Sequence, residues 1–143
     1  MSNAAKKDLS LSTEGSLLAI IMLAIQADGV FSLAEKEVVR FTVQQIKIFR
    51  EYSQEELIQK MEESLKAIAE NGEEVVLKSA VEGLPAQLYN TAFTVAADLI
   101  TANDKITKNE SDTLNKIQKA LAIPEDTADK IIEVMKYKNY HHD

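Results

Sequence analysis

Leu17-Leu18-Ala19-Ile20-Ile21-Met22-Leu23-Ala24-Ile25 is an unbroken apolar run of nine residues in a chain with only four glycines and two prolines. It is far short of the ~20 apolar residues that span a bilayer. A soluble helix that is apolar on every side has to be enclosed by other helices, so this run is expected to form the centre of the core. The scarcity of glycine and proline leaves little material for β-turns, and no β-branched run alternates with period two; the periodicities are helical. With 143 residues the chain suits one domain with an ordinary core. The expected fold class is therefore all-α, a single-domain bundle of about seven helices.

Helix signals divide the chain further. Ser12 or Thr13 is placed to cap the first helix, which the pattern carries to about Asp28, with Gly29 as its stop. Ser32 with Glu35, and Ser53 with Glu56, form Ser-x-x-Glu capping boxes that open the second and third helices. The second is expected to reach about Phe49 with Val38, Val39, Val43 and Ile46 facing inward. The third carries Leu57, Met61, Leu65 and Ile68 and stops at Asn71-Gly72. A fourth passes through Val75, Val76 and Ala80 to Gly83-Leu84. Pro85 fits the first turn of a fifth helix that buries Leu88, Phe93, Val95, Ala96, Leu99 and Ile100 and ends at Asn103-Asp104. Thr107 with Glu110 caps a sixth helix with Leu114, Ile117 and Leu121 inward, and Pro124 opens a seventh with a stripe of Ile131, Ile132 and Met135. Residues 13–138 are expected to form the domain. Residues 1–12 read as a flexible N-terminus with an expression remnant at Ser2-Asn3-Ala4, and the chain is expected to fray from Tyr137, with 139–143 outside the domain.

One stretch recurs. Ala27-Asp28-Gly29-Val30-Phe31-Ser32-Leu33-Ala34-Glu35 returns 75 residues later as Ala102-Asn103-Asp104-Lys105-Ile106-Thr107-Lys108-Asn109-Glu110. Each copy follows an apolar helix, opens another, and places a carboxylate three residues after a hydroxyl, with a further acid at Glu37 or Asp112. A hairpin that cannot bury its own face can pack on its duplicate, so an internal pseudo-two-fold repeat of a helix-loop-helix hairpin is expected.

Composition excludes several functions. No cysteine is present, which removes disulfides, thiolate zinc sites and cysteine nucleophiles. The only histidines, His141 and His142, stand at the C-terminus, away from any plausible active site. A net charge of −7 is the opposite of a nucleic-acid footprint, so no nucleic-acid partner is expected. No apolar stretch precedes Leu17, so a signal peptide is not seen, and a cytoplasmic protein without membrane insertion is expected.

The apolar helix leading into Ala27-Asp28-Gly29, the following Glu35 and the second copy ending at Glu110 resemble the TerB family, small all-helical proteins associated with bacterial tellurite resistance. The likeness extends over roughly residues 15 to 136, although Asn103-Asp104 stands where the pattern has Asp-Gly. The resemblance implies a cytoplasmic, non-enzymatic role in stress or oxyanion resistance. It also implies binding of metal ions and work with protein partners, membrane-associated Ter-type proteins among them.

The chemistry of the repeated stretch has two readings. Asp28 to Glu35 matches the second half of an EF-hand loop, with Asp28 at position five, Gly29 at the turn, Ser32 at nine and Glu35 at twelve. Positions one and three would be Ala24 and Gln26, and in the second copy Leu99 and Thr101, so a complete EF-hand is rejected. Asp28, Glu35, Asp104 and Glu110 remain candidate ligands for a weakly bound divalent cation, calcium or magnesium rather than zinc, with Glu37 and Asp112 behind them. Dissociation constants on the order of 0.1–1 mM or weaker are expected. In the other reading, Ser32–Glu35 and Thr107–Glu110 only cap helices, Asp28 and Asp104 favour neighbouring helix N-termini, and the chain is a metal-free helical interaction scaffold. Asp98 is read as part of a narrow solvent stripe with Asn90, Thr94 and Thr101, in preference to a polar seam near the second turn. Glycine-rich phosphate loops, nucleophile elbows and His-Glu-x-x-His are absent from the sequence, so no enzyme is expected. A carboxylate or metal-dependent hydrolase would require the two acidic turns to converge on a cleft.

Overall fold

The computed structural model describes residues 9–27, 32–103 and 105–140. Its helices are α1 (Thr13–Ile25), α2 (Leu33–Gln44), α3 (Gln54–Asn71), α4 (Glu73–Gly83), α5 (Tyr89–Thr101), α6 (Lys108–Ala120) and α7 (Glu125–Lys138). Short 3-10 turns at Lys47–Phe49 and Ala86–Leu88 join α2 to α3 and α4 to α5, and no strand occurs among the described residues. The fold is all-α.

The capping chemistry read from the sequence sets the helix starts. Ser12, rather than Thr13, caps α1 by accepting the Gly15 N–H at 3.0 Å. Capping boxes close at all three expected sites, Ser32–Glu35, Ser53–Glu56 and Thr107–Glu110. Gly72 serves both the end of α3 and the start of α4 with φ +90°, a backbone that glycine adopts freely. Ends are less local. α6 closes through Ala122 at φ 55°, with its N–H on Lys119 O at 3.0 Å and the Ile123 N–H on Gln118 O at 3.1 Å. That pairing is the left-handed helix stop usually filled by glycine, and the buried Ile123 supplies its apolar contact.

α1 is the central element. Ser16 through Ala24 are all buried, and the helix packs against α3, α4, α5 and α6. α5 is the second hub, packed on α1, α2, α6 and α7. Phe49, Phe93, Leu57, Ile100, Ile117 and Leu121 are among the largest fully buried side chains of the same core. Among the described residues no helix is long and apolar enough to cross a membrane.

Three expectations about the ends and faces of the helices are corrected. α2 ends at Gln44, not near Phe49, because Ile46 is extended, and the Gln44 side chain donates to the carbonyls of Phe49 (3.2 Å) and Tyr52 (2.7 Å) in the segment that follows. Val38, expected inward, is 55% exposed, since the buried face of α2 is Val39, Arg40 and Val43. The fifth helix begins at Tyr89, with Pro85 opening the 3-10 turn instead.

Asp98 and Thr101 do not belong to a solvent stripe. The Asn139 amide donates to Asp98 O at 3.1 Å, to Asp98 Oδ1 at 2.9 Å and to Thr101 Oγ1 at 3.0 Å. Lys138 Nζ adds an ion pair to Asp98 Oδ1 at 3.1 Å. The expected fraying from Tyr137 therefore gives way to an ordered end of α7 held against the last turn of α5, and Thr101 is buried beneath it.

Candidate functional site

The two acidic turns are the candidate site. Asp28 and Asp104, expected as ligands, lie outside the described residues. Their partners Glu35 and Glu110 occupy the same position, the third residue of α2 and of α6, because each belongs to a capping box. Glu35 Oε1 accepts the Ser32 N–H at 2.7 Å, and Glu110 Oε1 accepts the Thr107 N–H at 3.0 Å. Capping fixes each carboxylate beside the positive end of its helix dipole.

The copies then diverge. Glu110 is only 6% exposed, and its Oε2 accepts the Asn103 side-chain amide at 3.0 Å. Glu35 is exposed, and the only hydrogen bond of its side chain among the described residues is the one from the Ser32 N–H. A carboxylate with one anchored oxygen and one facing solvent can still join a cation shell. One held on both oxygens by N–H donors has less to offer.

The further acids serve other groups. Glu37 pairs with Arg40, Oε1 to Nη2 at 3.1 Å, and Asp112 pairs with Lys108 at 3.1 Å. Among the described residues no group of three or more histidine, aspartate and glutamate side chains is arranged to hold a metal ion. On the near side of the first turn, Gln26 donates to Glu73 Oε2 at 3.1 Å, which ties the end of α1 to the first turn of α4.

A polar network that sequence reasoning missed lies at the other end of α2. Arg40 is buried, with Nε and Nη2 on the Glu37 carboxylate and Nη1 on Gln44 Oε1 at 3.1 Å. Gln44 spends both of its N–H groups on the Phe49 and Tyr52 carbonyls. Residue type gave no sign of this, since a lone arginine on a helix normally reads as surface. The one available signal was the close spacing of Arg40 and Arg50, the only arginines of the chain.

Comparisons of this chain with protein-family models, with curated proteins and with solved structures give no match.

Proposed function

We propose that this chain is a non-enzymatic, cytoplasmic helical module of the tellurite- and stress-resistance type that its sequence resembles, acting through protein partners. The observation that carries this reading is the exposure of three large apolar side chains on the outward side of α2. Leu33, Val38 and Phe41 are 78%, 55% and 62% exposed, while Val39 and Val43 of the same helix are buried in the core. Clustered large apolar side chains facing solvent on one helix mark an interaction surface. The test is growth of bacteria under tellurite. Cells expressing the chain should tolerate more tellurite than control cells, and a Leu33→Ser, Val38→Ser, Phe41→Ser variant with an unchanged circular dichroism spectrum should lose that protection. No difference between wild type and control contradicts the reading.

The internal repeat belongs to the same proposal, and reciprocal packing supports it. α1 packs on α3 as α5 packs on α7, α1 meets α6 as α5 meets α2, and α1 and α5 meet each other. An approximate two-fold relation between α1 and α5 would account for these pairs, and α2 and α6 both begin with the same capping box.

Weak uptake of calcium or magnesium at the acidic turns completes the reading. The exposed Glu35, with only its capping contacts, favours the first turn, where Asp28 and Glu35 would be the principal ligands, over Asp104 and Glu110 in the second. Capping and cation binding are compatible there, because the anchored oxygen of Glu35 leaves its partner free.

A further inference from the structure

Between the end of α2, the 3-10 turn and the start of α3 lies an open pocket of about 510 Å³, within the range of ligand sites. Arg40, Phe41, Gln44, Arg50, Tyr52 and Gln54 line it. These are both arginines of a chain whose net charge is −7, gathered in one place.

The pocket is built rather than incidental. The Arg40 side chain is 10% exposed and is held by Glu37 and Gln44, which use three of its five N–H groups. Gln44 is itself locked by two carbonyls, so the guanidinium has one orientation and two N–H groups to spare. Tyr52 is set by an edge-on contact with the buried Phe49, ring centroids 5.5 Å apart. Arg50 is exposed, and its side chain makes no ion pair among the described residues. Arg40 and Arg50 are the only charged residues that line the pocket, and with Glu37 paired to one of them the lining suits a single carboxylate better than a doubly charged phosphate. Guanidinium groups match the planar carboxylate with paired N–H donors.

Phe41 belongs both to this pocket and to the outward face of α2, where Leu33 and Val38 are exposed on either side of the Glu37 carboxylate. From Leu33 to Phe41 that face is about 12 Å long at the helical rise, more than a free carboxylate would cover. We propose that the Arg40–Arg50 pocket and the Phe41–Val38–Leu33 face together dock an acidic amphipathic peptide segment of a protein partner. A Glu or Asp carboxylate enters between the arginines, and apolar side chains lie along α2. This rests on the reading of α2 as a contact surface and adds the chemistry of what it contacts.

The test is an NMR titration of the full chain with two acetylated, amidated peptides that share alternate Leu and Phe positions. One carries Glu at its polar positions and the other Gln. Because the protein is acidic overall, long-range electrostatics oppose the Glu peptide, so its binding reports the local arginines. Saturable shifts are expected at the backbone amides of Phe41 to Gln45 and Arg50 to Gln54. Affinity should be at least tenfold weaker for the Gln peptide and for the exposed-site variant Arg50→Gln, and should fall with added salt. Equal binding of the two peptides, or an unaffected Arg50→Gln, overturns the acidic pocket and leaves α2 as an apolar contact surface. Concentration-dependent shifts at the same amides without peptide identify a second copy of the chain as the occupant and overturn the proposal. Absence of binding by either peptide overturns the proposal, while the tellurite growth test still decides the functional reading.

Discussion

Asn103 donates its side-chain amide to Glu110 Oε2 at 3.0 Å, across the turn that joins α5 to α6. With Oε1 on the Thr107 N–H, both oxygens of this buried carboxylate are engaged, whereas Glu35 engages Ser32 alone and faces solvent. Loss of the two residues should therefore cost different amounts. Glu110→Ala is expected to lower the unfolding free energy by about 1–2 kcal/mol and Glu35→Ala by about 0.5 kcal/mol. Urea denaturation at neutral pH measures both, and equal losses would mean that the two turns are alike after all.

Ser16 sits at the opposite end of α1, fully buried, with no hydrogen-bond partner for its Oγ among the described residues. A buried hydroxyl without a partner is a desolvation cost, so Ser16→Ala is expected to stabilise the protein by about 1 kcal/mol. Its neighbour behaves oppositely. A Cβ added at Gly83 would stand 2.4 Å from Ser16 Oγ and 2.7 Å from the Leu11 carbonyl oxygen. Gly83→Ala should destabilise by about 1–3 kcal/mol, and adding Ser16→Ala should restore only part of this, because the Leu11 backbone remains in the way. Thermal melts of the two single variants and the double variant separate these effects.

Ala122 stops α6 in the left-handed region at φ 55°. A β-carbon there is strained by about 1–2 kcal/mol, part of which glycine gives back as unfolded-chain entropy. Ala122→Gly is expected to raise stability by about 0.5–1 kcal/mol. A melting temperature below that of the wild type would contradict the assigned stop.

The helix starts and the central element were legible because their signals are short-ranged. Ser32, Ser53 and Thr107 meet a glutamate three residues on, and an all-apolar α1 admits only an enclosed position. What escaped depends on contacts distant in sequence or on one residue's reach. Gln44, at the end of α2, bonds carbonyls five and eight residues ahead, which no periodicity encodes. Asp98 looked like surface because the Asn139 that covers it lies 41 residues later. Val38 misled because α2 has apolar residues on two faces, and spacing alone does not say which face meets the core. The equivalence of Glu35 and Glu110 was visible as a pattern, but their different burial was not, since it follows from Asn103 folding back on one copy.

Calorimetric titration of the full chain with calcium at low ionic strength bears most directly on the claim that the first acidic turn takes a divalent cation weakly. Saturable binding with a dissociation constant on the order of 0.1–1 mM is expected. Binding should be lost in the Asp28→Ala, Glu35→Ala double variant and kept in Glu37→Gln, whose carboxylate serves Arg40 instead. No saturable heat in the wild type, or binding unchanged in the double variant, would contradict it.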